Sequence, residues 1–481
     1  MEENTCLKRV LEMGIALSKE KDSNKILDGI LDASMEIAHC DAGTLYINKD
    51  GYLHFKVMKT LSLGIDKGKN GEKIDLPPVP IEPGSIFEYI VNQKKALNID
   101  DVYNSPEFSF PEPKKYDGII GFCTKSLLSI PLVNAEGEVV GVLQLINAMD
   151  EDGNACKFTF ENEQIIMALA SQAAIAMTNM RYVEEMKLQM WSFTAAMAEA
   201  IDTRTPYNAS HVRQVAVYAW KIANYINALH DKGLEEEYFS KERKEELALS
   251  ALLHDLGKLS IPTRIMNKST RLAGKLKDIQ TRFEILKLKY KVMYLEHRAT
   301  ESEYIEFNEK LDKIRRLVED VDGLGFLDEE KESELKQAFE FEPVIDGEKC
   351  VLFTDEEKES LLIKKGTLTE KERQIMESHV EMTERILSKV HFNSVYKDVP
   401  IWAVQHHEYL NGTGYPKHLT ADELSIEARI LTVADICDAL LASDRPYKKP
   451  LPKDKAFAIM EDMAAKGNID AKIVSYLKAC I

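Results

Sequence analysis

The chain has 481 residues, 44% of them hydrophobic and 30% charged, too long for one ordinary core and apolar enough to build two or three. A net charge of −18 disfavours nonspecific binding to nucleic acid polymers or anionic membranes, because the field of the whole molecule repels polyanions. Seven scattered cysteines without a CxxC pair suit free thiols in a reducing compartment, and the most apolar run, IIMALASQAAIAM (165–177), is too short to span a bilayer, so a cytoplasmic protein is expected.

Residues 1–40 carry helical periodicity, and 43–58 read as short strands around a Lys49-Asp50-Gly51 turn. A hairpin follows: SLLSIPLV (126–133), a turn at 134–137, then VVGVLQLIN (139–147). With a closing helix from about Asn162, these elements make an α/β module with an antiparallel sheet over residues 1–180. The stretch GFCTKSLLSIPLVNAEGEVVGVLQLINA, closed by FENEQIIMALASQAAIAM, resembles GAF sensory domains. That family takes cyclic nucleotides, haem, bilins or no known ligand. Here Ala148 follows Asn147, and Phe158, Phe160 and Glu161 match the nucleotide-binding type only in part, so the module's ligand is left open.

No Pro or Gly interrupts 163–200, so the closing helix is expected to continue as a linker over 163–203. Ile166, Leu169, Ala173, Ala176, Met180 and Val183 step 3-4-3-4-3, and Met186, Met190, Phe193, Met197 and Ala200 form a second seam. The three-residue step between the seams is a stammer. The pattern reads as a parallel two-stranded linker, and hence a homodimer.

Residues 204–481 read as an all-α domain with an insertion at 266–363. Within it Ile279, Phe283, Leu286, Tyr290 and Met293 step 4-3-4-3, and Tyr304, Phe307, Leu311, Ile314 and Val318 step 3-4-3-4. Two helices with a break near 299–302 make an antiparallel helical hairpin, expected to offer a protein partner or a second copy a surface. A small β-hairpin is expected around Asp346-Gly347, then capping boxes at Thr354/Glu357 and Thr369/Glu372, the latter opening the helix that carries His379.

The chemistry lies in His211, His254, Asp255, His379, His406, His407 and Asp435. Any one alone reads as a packed or surface residue. Together they sit in apolar stretches such as ALSALLHDLG, IWAVQHHEY and ILTVADICDAL, where buried His and Asp need partners. Two divalent ions satisfy them all if Asp255 bridges, and paired ions clamp both oxygens of an in-line phosphoryl displacement. Imidazole and carboxylate without thiolate favour iron or manganese over zinc. Lys258, three residues past Asp255, is a candidate cation for a substrate phosphate. Gly412-Thr413-Gly414-Tyr415-Pro416 reads as a loop leaving the ions open while presenting an aromatic ring, and Arg445, Tyr447 and Lys448 as further phosphate or base contacts.

His211, His254-Asp255 with Lys258, His379, HHEYLNGTGYP and ADICDALLASDRPYKK together resemble the HD-GYP family of cyclic di-GMP phosphodiesterases, over about 190–265 and 364–450. The resemblance implies a helical HD-type fold, an iron or manganese site, and hydrolysis of cyclic di-GMP to linear pGpG and/or GMP. It implies His211, His254, Asp255, His379, His406, His407 and Asp435 as ligands, Asp255 bridging. Lys258, Arg445 and Lys448 would contact substrate, and Tyr415 would shape the guanine-side wall. Some members hold a third metal with a Glu one turn before the first His; Tyr207 stands there, so two ions are expected.

Overall fold

The computed structural model describes residues 22–105, 122–204, 210–442 and 451–481. It divides into two compact units between Met190 and Trp191.

The N-terminal unit opens with helix α1 (Ser23–Ala38), capped by the Asp22 carboxylate and ended by His39 in the left-handed region. Strands β1 (Cys40–Lys49) and β2 (Tyr52–Thr60) are ten and nine residues long, longer than the short strands expected, and turn at Asp50 and Gly51, both at positive φ. Then come β3 (Ile65–Lys67), β4 (Val79–Pro80), α2 (Ile86–Gln93), β5 (Leu97–Ile99), the hairpin β6 (Leu127–Val133) with β7 (Val139–Met149), and β8 (Ala155–Cys156). The sheet runs β3-β2-β1-β7-β6-β5, with β4 on β2 and β8 on β7, and its pairings are antiparallel. Period-two alternation gives the sheet two apolar faces. Leu45, Leu143 and Leu145 pack with α1, whereas Tyr46, Val142 and Ile146 pack with Phe87 and Ile90 of α2.

Helix α3 (Phe160–Asp202) runs unbroken for 43 residues across the division between the units. Its first seam differs from the expected dimer contact. Ile166, Leu169, Ala173 and Ala176 are buried in the core of their own sheet, with Met180 packed against it. A heptad period reports an apolar face without saying whose core covers it. The seam's last residue, Val183, is exposed, as are Met186 and Phe193 of the second seam and Leu188 between them.

The C-terminal unit is helical: α4 (His211–His230), α5 (Lys241–Leu253), a 3-10 turn (Leu256–Ser260) and α6 (Thr263–Met266). The insertion follows as α7 (Leu276–Leu295), α8 (Glu301–Asp322), α9 (Glu329–Phe339), the two-residue strands β9 (Val344–Ile345) and β10 (Glu348–Lys349), and α10 (Asp355–Leu361). After it come α11 (Glu370–Glu377), α12 (His379–Leu387), α13 (Val399–Val404), α14 (Ile426–Leu441), α15 (Lys453–Ala465) and α16 (Ala471–Cys480). The Thr369/Glu372 box caps α11, not the helix bearing His379: the chain breaks at Ser378 and His379 opens α12.

Helices α4, α14, α15 and α16 share one core around Val215, Ile222, Leu431, Val433 and Met460. The insertion has another, in which Ile279, Phe283 and Leu286 of α7 meet Phe307, Leu311, Ile314 and Val318 of α8. Arg271, fully buried, ties its start to its end, donating to the carbonyls of Val321, Leu324 and Ile363. The chain thus returns close to where it left.

Candidate metal centre in the helical unit

Four helix ends and one helix interior deliver the expected residues to one place. His211 and His379 begin α4 and α12; His254 ends α5 and Asp255 starts the 3-10 turn; His406-His407 follow α13; Asp435 lies inside α14. His211, His254, Asp255, His379 and His406 are 1–6% exposed, and Asp435 9%. Two groups have donor atoms within 4.8 Å of one another: His211, His254 and Asp255, and His379, His406 and His407.

The Asp255 carboxylate lies between them. Its Oδ2 is 3.1 Å from His254 Nε2 and 3.5 Å from His211 Nε2; its Oδ1 is 3.4 Å from His379 Nε2 and 4.0 Å from His406 Nε2. Asp435 Oδ1 closes the first group, 3.1 Å from His211 Nε2 and 3.9 Å from His254 Nε2. The imidazoles are aimed by their other nitrogen. Nδ1 of His254, His379 and His406 lies 2.6 Å from the carbonyls of Ala251, Met376 and Ala403, each three residues back, and donates there. The Nε2 lone pairs therefore point inward. Among the described residues, Nε2 of His254, His379 and His406 and Oδ1 of Asp255 are buried without a hydrogen-bond partner. Buried polar atoms without partners are costly. A divalent cation pair fits this donor set, since it would satisfy all four atoms at once.

The electrostatics agree. Burial lowers the pKa of His379, takes His406 well below the ordinary imidazole value and His407 to about 3, so these rings are neutral. Burial opposes charge on His211 too, but hydrogen bonds to Asp255, Asp435 and Asp438 outweigh it and hold its pKa well above 6.5. Burial likewise opposes ionisation of Asp255, yet His254, Lys258 and His211 keep its carboxyl well below 3.8. The centre is built to hold carboxylates ionised and to draw positive charge. Lys258 Nζ lies 2.5 Å from Asp255 Oδ2, and its side chain is 21% exposed.

Tyr415 stacks on His407 with ring centroids 4.7 Å apart. Its loop is fixed by Glu408, a buried carboxylate that accepts from Lys417 N and Leu419 N at 2.6 and 3.0 Å. Gly414 is required there: a Cβ would collide with the backbone of residues 407–409. Arg445, Tyr447, Lys448 and Tyr207 lie outside the described residues.

Four supporting residues were not picked out from the sequence. Asp438 Oδ2 accepts from His211 Nδ1 at 2.6 Å; its signal was the three-residue spacing from Asp435 on α14. Thr383 Oγ1 accepts from Gly257 N at 2.8 Å and donates to His254 O at 3.1 Å, joining α12 to the His254-Asp255 segment. Arg204 donates to the carbonyls of Lys258, Leu259 and Ile261. Glu408 stood in the motif, but nothing marked it as a backbone clamp.

Family models agree with this architecture. A GAF domain model matches residues 22–177, and two HD domain models match 208–331 and 356–473. The chain carries a GAF domain and an HD domain. Three curated proteins resemble it over short stretches. The 3'3'-cGAMP-specific phosphodiesterase 3 of Vibrio cholerae serotype O1 is 47% identical over 103 residues, 21% of this chain and 22% of that protein. The cyclic di-GMP phosphodiesterase of Thermotoga maritima is 37% identical over 118 residues, 24% of this chain and 32% of that protein. The cyclic di-GMP phosphodiesterase response regulator RpfG of Xanthomonas campestris pv. campestris is 39% identical over 102 residues, 21% and 26%. The matches thus span between 22% and 32% of these relatives' own length. Among the described residues, no helix is long and apolar enough to cross a membrane.

Proposed function

We propose that the HD domain is a metal-dependent phosphodiesterase of the HD-GYP type, acting on a cyclic dinucleotide and in the first place on cyclic di-GMP, to give linear pGpG and/or GMP. The observation that carries this reading is Asp255, whose two oxygens face two histidine groups in which Nε2 of His254, His379 and His406 has no hydrogen-bond partner among the described residues. In this reading His211, His254 and Asp435 would hold one divalent ion, His379, His406 and His407 would hold the second, and Asp255 would serve both. The thiolate-free donors favour iron or manganese over zinc. A bound pair supplies Lewis acidity toward the phosphate and activation of the attacking water.

The chain's own groups do the rest. Backbone carbonyls fix the tautomers of His254, His379 and His406, so these three rings present an Nε2 lone pair without rearrangement, and Asp438 orients His211 through Nδ1. Lys258, partly exposed beside Asp255, is assigned to a phosphate oxygen, a role its partial exposure supports. Tyr415, stacked on His407, is assigned to the guanine side of the substrate, and Arg445 and Lys448 to phosphate or base. The GAF domain (1–180) is the regulatory module, and the linker (163–203) joins it to the HD domain (204–481), with 266–363 as the insertion. The exposed Val183, Met186 and Phe193 support a homodimer through the linker, in a cytoplasmic protein.

The 47% identity to a 3'3'-cGAMP-specific enzyme favours a second reading, the same chemistry on the hybrid nucleotide. Turnover of both nucleotides by anaerobically purified protein separates them. Faster loss of cyclic di-GMP is expected; faster loss of 3'3'-cGAMP selects the second reading. Stoichiometric metal with tight nucleotide binding and no product would make the domain a silent receptor and overturn both.

A further inference from the structure

Helix α7 buries Ile279, Phe283 and Leu286 in the insertion's core. On its opposite side Ile285, Leu288, Val292 and Leu295 are 47%, 62%, 48% and 63% exposed. They step 3-4-3, so at 3.6 residues per turn they form one narrow stripe facing away from the core. This is a seam of two heptads, with Ile285 and Val292 at a, and Leu288 and Leu295 at d. β-Branched residues at a with Leu at d favour two parallel strands.

The flanks identify the occupant. Glu284 and Lys291 hold the g positions, Lys289 and Glu296 the e positions, and all four are exposed. In a parallel, in-register pair each g residue faces the e residue of the next heptad across the seam. Glu284 then meets Lys289 of a second copy, and Lys291 meets its Glu296. Both pairings are opposite in charge, and symmetry doubles them. Mixed signs in this order fit the helix's own sequence, not a partner of one charge. The present bonds of Glu284 to Arg315 and Glu296 to Arg298 are exposed and exchange at little cost.

Two heptads alone are too short to fold in water. Here the helix is already formed. Tyr290 stacks on Phe307 of α8 at 4.0 Å between centroids, and Lys287 binds Asp312 at 2.5 Å. Association therefore carries no nucleation cost. We infer that the outer face of α7 is a self-association surface that takes α7 of a second copy of this chain, parallel and in register.

Cysteine cross-linking in the full chain tests this. Leu288→Cys and Leu295→Cys put thiols at the two d positions, and Lys313→Cys on the exposed surface of α8 is the control. Under mild oxidation at micromolar protein, both d variants should form disulfide-linked dimers about tenfold faster than the control or the parent chain. Adding Ile285→Glu to Leu295→Cys should abolish that gain. A dimer held elsewhere, such as through α3, would not single out these positions. Equal rates at 288 and 313 would overturn the proposal, and rapid linkage at 288 without linkage at 295 would overturn the parallel register.

Discussion

At the scale of single residues the centre depends on aim as much as on ligand identity. His254→Ala or Asp255→Ala should lower bound metal and abolish turnover, whereas Lys258→Ala should keep the metal and lose activity; elemental analysis beside an activity assay reads both. Asp438→Ala leaves His211 Nδ1 without its acceptor and should weaken metal affinity about 10- to 100-fold while helix content is unchanged by circular dichroism. Asp202, the last residue of α3, is 3% exposed, and neither carboxylate oxygen has a hydrogen-bond partner among the described residues. Burial pushes its pKa to about 6, partly offset by His211 and Arg213. The folded state then binds the extra proton between the unfolded value of about 4 and the folded value, so stability falls as pH rises through that window and the full penalty applies above it. In metal-stripped protein, Asp202→Asn should raise stability at pH 7.5 by about 3 kcal/mol and bring no gain below about pH 4. Thermal melts at the two pH values check the sign; an equal gain at both would refute an ionisation cause.

At the scale of elements the centre is a meeting of helix ends, and close backbone approach makes it possible. A Cβ on Gly257 would collide with the carbonyl of His379, so the 3-10 turn presses directly on the start of α12. Gly257→Ala should force the two apart, lowering the melting temperature and the metal content together. Arg271→Ala would leave the carbonyls of Val321, Leu324 and Ile363 without their donor, at a cost of about 1–3 kcal/mol, read as loss of protection from hydrogen exchange confined to the insertion. These elements also show what the sequence can tell. The α7–α8 hairpin was legible because each helix repeats its apolar face in sequence. Arg271 was not, since an arginine ordinarily marks the surface and only tertiary packing buries it. The break at Ser378 was equally hidden, as its backbone stays right-handed and no Pro or Gly signals it.

At the scale of the whole molecule, histidines and aspartates in apolar helices announced a shared centre before any contact was visible, because such groups cannot be buried alone. Asp255 was expected to bridge, but which histidines lie on each side of it became visible only with the fold in place, and so did the covering of the first α3 seam by its own sheet. Metal stoichiometry of the anaerobically purified chain tests the centre most directly. Two iron or manganese ions per chain are expected, falling to one or none in Asp255→Ala. Two ions retained in that variant, or no more than one in the parent, would contradict a dinuclear centre bridged by Asp255.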